Sequence, residues 1–246
     1  MKNKRSSFIH IFKKKSLWVA LIVLMVLILI GKHNKEYFEN NEFLSFIDSH
    51  TFYNEKNELI DHKTEEIIEQ YQAYQFIKPD DIVLELGGRY GSVSVVINKL
   101  VNDKKSHVVV EPDLNVIPTL KKNLDAHQCN CEILPKYISN KNKKIVKQGY
   151  GTFIEDSDEP NDQGISYSDF KLKYPQKFNV LIADCEGCLQ EFLEIMGDDF
   201  SNLNKVIFEQ DRGEMCNYEL IKNKLIQSGF KEVDNSDNNR YVYMKN

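Results

Sequence analysis

The chain has 246 residues, 41% of them hydrophobic and 28% charged, with a formal net charge of −5. That is an ordinary globular composition, which excludes the disordered and fibrous classes. Residues 1–35 hold eight Lys/Arg and no acid, leaving 24 of the 32 bases against 37 acids, a formal −13, over the rest. An acidic domain with no basic stripe is a poor partner for nucleic acid, because neutralising phosphates supplies most of that affinity.

In chain order, Leu17–Ile30 is an unbroken apolar run followed by Gly31 and Lys32. As a helix it reaches about 21 Å, short of a hydrocarbon core of roughly 30 Å. Lys13–Lys15 and Lys32 can snorkel to the interface, and Trp18 stands where an interfacial aromatic belongs. A cleaved signal peptide is the alternative, but Gly31-Lys32-His33-Asn34-Lys35 lacks a small-x-small site. The expectation is a basic tail over 1–16 and an uncleaved, single-pass signal-anchor over 17–31. Six bases precede the span, so the positive-inside rule places the N-terminus in the cytosol. The chain carries no Asn-x-Ser/Thr sequon, which points away from a glycosylating lumen.

Residues 32–63 are polar, with Phe43, Phe46 and Ile47 at helical spacing, and read as a stalk or a peripheral helix. Thr64-Glu65-Glu66 opens a helix with Ile67, Ile68, Tyr71 and Tyr74 on one face, starting a domain over 64–246. Pro79-Asp80-Asp81 ends that helix and leads into the first strand.

That strand, Ile82–Leu86, runs into Gly87-Gly88-Arg89-Tyr90-Gly91. Val93, Val96, Ile97 and Leu100 then mark a helix, and His107–Val110 a second strand ending in Glu111. This is the front half of a nucleoside-binding βαβ unit, with glycines for a tight turn and an acid to accept two ribose hydroxyls. The spacing G-G-x-x-G is not the dinucleotide G-x-G-x-x-G, and Glu85 just before the turn would repel a pyrophosphate. A carboxylate there suits a cationic ligand such as S-adenosylmethionine.

Further on come a helix over about 115–124, a short strand near Cys131–Leu134, and a polar stretch over 140–177 read as loop with one short strand. Phe178–Ala183 is a buried strand, followed by a helix marked by Leu189, Phe192, Leu193 and Met196. Lys205–Phe208 is the next strand, Asn217 caps a helix stopped by Gly229, and Phe230–Val233 with Arg240–Met244 form a hairpin. Such alternation implies a mostly parallel sheet covered on both faces.

Asp184-Cys185-Glu186-Gly187 leaves the fourth strand and Glu209-Gln210-Asp211 the fifth. Ligands of open α/β sheets bind beyond the carboxyl ends of the strands, so Glu85, Glu111, Asp184, Glu186 and Glu209 are expected to ring one crevice. Any one of them alone could instead be a helix N-cap.

Val83–Gly91, Val110-Glu111-Pro112 with Leu120 and Asn123, Ile182–Gly187 and Val206–Glu209 resemble the successive motifs of FkbM-type S-adenosylmethionine-dependent methyltransferases. The resemblance spans roughly residues 75–245. It implies a class I methyltransferase (Rossmann-like) α/β fold: a mostly parallel seven-stranded sheet with a C-terminal antiparallel hairpin and helices on both faces. It also implies O-methylation, commonly of sugar or small-molecule hydroxyls, and cofactor contacts by Glu85, Gly87, Gly91 and Glu111. Arg89 and Cys188 depart from it, standing where the family usually has a small or polar residue and an alanine.

The cofactor-binding candidates are therefore Glu85, Gly87, Gly88, Arg89, Gly91, Glu111 and Asp184. Asp184, Glu186 and Glu209 are the candidates for the base that takes the acceptor's proton, Asp184 first because it lies nearest a strand end. A clustered pair of these could alternatively hold a divalent cation, although no metal ligand set is assigned. His107 begins a strand and reads as structural. Cys185-x-x-Cys188 and Cys129-x-Cys131 invite a zinc or redox reading, with packing or one disulfide the plainer use. The expected partners are a small-molecule or glycan acceptor and the membrane, not nucleic acid. An outward-facing domain would need its cytosolic cofactor imported, which conflicts with the charge rule. An N- or protein methyltransferase and a non-catalytic cofactor-binding or scaffold protein are the rival readings.

Overall fold

The computed structural model describes residues 40–149, 151–235 and 237–245. The expected tail and signal-anchor lie outside them, and among the described residues no helix is long and apolar enough to cross a membrane. The chain divides into two compact units, Met1–Ser45 and Phe46–Asn246. In the first, residues 40–45 open helix α1 (Asn41–Ile47), and Asn40 Oδ1 accepts the Phe43 N–H at 2.9 Å.

The second unit is built on seven strands: β1 (Val83–Leu86), β2 (His107–Val110), β3 (Glu132–Leu134), β4 (Val180–Ala183), β5 (Lys205–Glu209), β6 (Phe230–Asn235) and β7 (Arg240–Lys245). Their order across the sheet is β6-β7-β5-β4-β1-β2-β3. The five central and edge strands β3, β2, β1, β4 and β5 run parallel, and β7 enters antiparallel between β5 and β6. That is the mixed Rossmann-like sheet of the class I methyltransferases which the motifs implied. Strands β1, β2 and β4 are buried on both faces, which is why they read as largely apolar runs.

Register turns this order into a site. Leu86 pairs with Val110 and with Ala183, and Ala183 with Phe208. One residue further on, Gly87, Glu111, Asp184 and Glu209 stand side by side along the carboxyl edge. The antiparallel partner of Glu209 is Arg240, so the row ends in a cation. The strand order reverses between β1 and β4, which is where an open α/β sheet leaves a crevice.

Four expectations change. The helix expected from Thr64 is a single turn over His62–Glu65, followed after Glu66 by α2 (Ile67–Phe76). Its buried residues are Ile67, Glu69, Gln70, Gln72 and Ala73 rather than the Ile68, Tyr71, Tyr74 face, because α2 docks on polar groups. Gln72 Nε2 donates to Asp234 Oδ2 at 2.6 Å, and Gln70 Nε2 to the His62 carbonyl at 2.8 Å. Second, the compact unit starts at Phe46 rather than 64: Phe52 is fully buried, its ring stacks on His127 at 4.9 Å, and the Tyr53 N–H reaches Asn123 Oδ1 at 3.2 Å.

Third, residues 140–177 are not mostly loop. They hold an antiparallel hairpin, Lys143–Gln148 with Gly151–Asp156, and a helix over Tyr167–Lys173. Both hairpin strands are largely half-exposed, so no apolar/polar alternation announces them. Lys143 Nζ joins the hairpin's two strands through Asp156 and pins the hairpin to Glu191, at 2.5 Å each, and Lys147 Nζ pins it to Asp113 at 2.9 Å. Fourth, Glu85 does not point into the turn. It shares a sheet face with His107, so its carboxylate turns under helix α3 (Ser92–Leu100), accepts from Ser94 Oγ at 2.7 Å and lies 2.8 Å from His107 Nε2.

Candidate active site

A cavity of about 470 Å³ opens beyond the carboxyl edge of β1, β2, β4 and β5. Its floor is the row Gly87, Glu111, Asp184 and Glu209, and one wall is Glu65 and Glu66, just before α2, with Glu69 of α2 itself. The opposite wall is the hairpin, Gly151–Ile154, with Tyr137, Ile138 and Phe192 supplying apolar surface. The expected residues thus divide. Gly87, Arg89, Glu111, Asp184, Glu186 and Glu209 face this cavity, whereas Glu85 and Gly88 border a smaller neighbouring one. Gly91 opens α3 against Leu120 and Leu124 of helix α4 (Ile117–Ala126), away from both.

Gly87 has φ +92°, and a Cβ there would lie 1.7 Å from the Asp184 carbonyl oxygen. Only glycine lets the β1 turn pass this close to the end of β4. On the β2 side, Glu111 is held by backbone: Oε2 accepts the Arg89 N–H at 2.9 Å and Oε1 the Asp113 N–H at 2.8 Å. Burial raises its carboxyl above the ordinary range, and the two N–H donors oppose that shift. Arg89, at φ +39°, spreads its guanidinium toward Asp113 and Glu55 at 3.9 Å each.

The β4–β5 side is more crowded. One carboxylate oxygen from each of Glu69, Asp184 and Glu209 lies within 4.8 Å of the others. Arg240 answers two of them, through Nε to Glu69 and through a terminal nitrogen to Glu209 Oε1 at 2.9 Å. Burial and then the charges of Glu209 and Glu69 push the Asp184 carboxyl far above its ordinary value. Burial and Glu69 raise Glu209 to about 7 against the pull of Arg240, and burial raises Glu69 to about 7. Like charges this close cannot all ionise together near neutrality, so the cluster carries protons there. Glu69 Oε2 is buried with no hydrogen-bond partner, so the acceptor capacity of this cavity-lining residue is not fully used.

Proximity alone would also let these three carboxylates ligate a hard cation, but Arg240 already takes the compensating place at two of them. Glu186 stands apart on the rim, with Oε2 bonded to Arg212 Nε at 2.8 Å. Sequence reading missed Glu69 and Arg240. No local signal marks either, because Glu69 reaches the site through the polar face of α2 and Arg240 through the register of β7.

No family model and no curated protein matches the chain. Solved structures similar to it include an rRNA methylase from Streptococcus thermophilus, at 8% identity and TM-score 0.45 over 72% of this chain and 92% of that one. Precorrin-6y C5,15-methyltransferase from Geobacter metallireducens gives 12% and 0.47 over 74% and 90%. Ribosomal protein L11 methylase from Lactobacillus delbrueckii subsp. bulgaricus gives 12% and 0.44 over 80% and 83%. Likenesses this distant carry nothing about substrate, and the fold assignment rests on strand order and register.

Proposed function

We propose that this chain is an S-adenosylmethionine-dependent methyltransferase of the FkbM type that methylates a hydroxyl of a sugar or other small molecule. The observation that carries this reading is the alignment of Gly87, Glu111, Asp184 and Glu209 in one row facing one cavity at the switch in strand order. The residues suit the cofactor: Glu111 presents a fixed carboxylate for ribose hydroxyls, and the acid surplus with its orphaned Glu69 Oε2 suits a cation. Arg89, beside the Gly87 turn, is the group for the cofactor's carboxylate. The family resemblance also assigns Glu85 and Gly91 to the cofactor, and the glycine turn adds Gly88 as a candidate; their placement supports roles in shaping the turn.

When bound, the cofactor supplies an electrophilic methyl group on a sulfonium. The chain's own work is alignment and proton handling. Asp184 or Glu209, in its ionised form, would take the proton of an acceptor hydroxyl, and a carboxylate of raised pKa is the stronger base for it. The apolar hairpin wall holds the acceptor body, and a cavity of this size and acidity favours a small acceptor over a polyphosphate. We further propose that residues 17–31 anchor the enzyme in a membrane with the N-terminus cytosolic.

Calorimetric titration of the full chain in detergent with S-adenosylmethionine and S-adenosylhomocysteine tests the reading, followed by transfer of labelled methyl to an extract of small hydroxylated metabolites. Absence of binding at millimolar cofactor overturns it, and methylated amines or protein in place of hydroxyls would shift it to the rival class.

A further inference from the structure

The proposed reaction leaves the cysteines unused. Cys129, Cys131 and Cys216 are free, whereas Cys185 and Cys188 are joined in a disulfide with Cα atoms 5.5 Å apart. Both bridged residues are half-buried and line the cavity, and Cys185 directly follows Asp184. The bridge closes the turn from β4 to helix α6 (Leu189–Ile195; the helix over Tyr167–Lys173 being α5). Inside that turn Glu186 has φ +53° and Gly187 φ +91°. For a glutamate the left-handed conformation costs about 1 kcal/mol, so it persists only while its surroundings hold it.

Two restraints hold it: the covalent closure on either side, and the Glu186–Arg212 ion pair at 2.8 Å. Arg212 in turn lies over the Phe153 ring at 4.1 Å, and a Cβ on Gly151 would fall 2.0 Å from Glu186 Oε1. Phe153 and Gly151 belong to the hairpin that walls the cavity. Contacts therefore run without a gap from the residue after Asp184, through the bridged turn and Arg212, to the acceptor-side wall.

We propose that Cys185 and Cys188 form a redox site in the cavity wall, closed to hold the hairpin in place and opened by a dithiol reductant to loosen the acceptor side alone. A thiolate of the dithiol attacks one sulfur and the Cys185–Cys188 bond breaks to give a mixed disulfide. The second thiol then displaces the cysteine, so two electrons and two protons reach the pair and the reductant leaves as its own disulfide. Only the catalytic consequence rests on the methyltransferase reading; the bond and its structural effect do not.

Alkylation and intact mass of the full chain should count three thiols as purified and five after millimolar dithiothreitol in native buffer. Hydrogen exchange at 184–188 and 151–156 should then quicken by about tenfold, with 107–126 unchanged, and reoxidation should restore the slow rates. A Cys185→Ser/Cys188→Ser variant should show the fast rates without reductant, and Cys216→Ser should behave as wild type. Five thiols before reduction, a bridge that opens only in denaturant, or exchange indifferent to reduction would overturn the proposal. Failure to bind S-adenosylmethionine in either state would sink the methyltransferase reading and leave this one standing.

Discussion

The two ends of the carboxyl edge handle buried acid in opposite ways. At the β1–β2 end each carboxylate is satisfied within its own neighbourhood: Glu111 by the N–H groups of Arg89 and Asp113, Glu85 by Ser94 and His107. At the β4–β5 end Glu69, Asp184 and Glu209 converge from three elements, and one guanidinium pairs with only two of them, Glu69 and Glu209. A satisfied carboxylate is a fixed acceptor, suited to holding a ligand. An under-compensated cluster exchanges protons near neutral pH, suited to chemistry. Under the proposed function this contrast puts binding at one end and proton transfer at the other, and four experiments can break or sharpen it.

The largest effect is expected at Asp184. Asp184→Asn should lower kcat by about 10²–10⁴ while leaving S-adenosylmethionine affinity within a few fold, since it removes a proton acceptor and not a binding contact. Equal losses in kcat and cofactor affinity would move Asp184 to the binding end. Next is Arg240→Met, which strands Glu69 and Glu209 without their counter-charge and should destabilise the fold by about 3–5 kcal/mol at pH 8. Denaturant melts at pH 5 should show a smaller loss, because the two acids then carry protons. A loss independent of pH would mean Arg240 matters for packing alone.

A third expectation concerns the wild-type apo protein. Glu69 and Glu209 bind protons more tightly folded, near pH 7, than at their ordinary value of 4.5. Their stabilising contribution is therefore complete below about pH 4.5 and is lost as pH rises through about 7. Unfolding free energy should fall by roughly 2–5 kcal/mol between pH 5 and 8, from one carboxyl's share to that of both, and Glu69→Gln with Glu209→Gln should flatten the profile. Stability that rises across that window in the wild type would contradict the crowding at this end. The smallest effect is Glu111→Gln, expected to weaken cofactor binding by about tenfold with kcat little altered. Calorimetry reads it, and a large kcat effect would erase the division of labour.

How much of this was legible follows from where each signal is stored. Apolar runs of three or four residues, interrupted in β1 by Glu85, mark β1, β2, β4 and β5, and the residue after each run is at the carboxyl edge by construction. Gly87, Glu111, Asp184 and Glu209 were therefore readable as a group. Glu85 was not, because its strand parity sends it to the face of His107, and only a neighbouring side chain shows where a buried carboxylate turns. The hairpin over 143–156 is largely half-exposed, and its apolar residues fall in adjacent pairs, Ile145-Val146 and Phe153-Ile154, so it carries no period of two. The buried face of α2 is made of Glu69, Gln70 and Gln72, the reverse of what an amphipathic pattern leads one to expect.

By itself the sequence determined the order of the core strands and helices, the parallel core of the sheet, the turn residues and the acids at three strand ends, because these depend on local periodicity and glycine geometry. Tertiary structure alone decided that β7 slots antiparallel beside β5, that Arg240 therefore meets Glu209, and that α2 brings Glu69 to both. The physical reason is that compensation of buried charge is a property of who packs beside whom, and the partners here lie 31 and 171 residues apart along the chain.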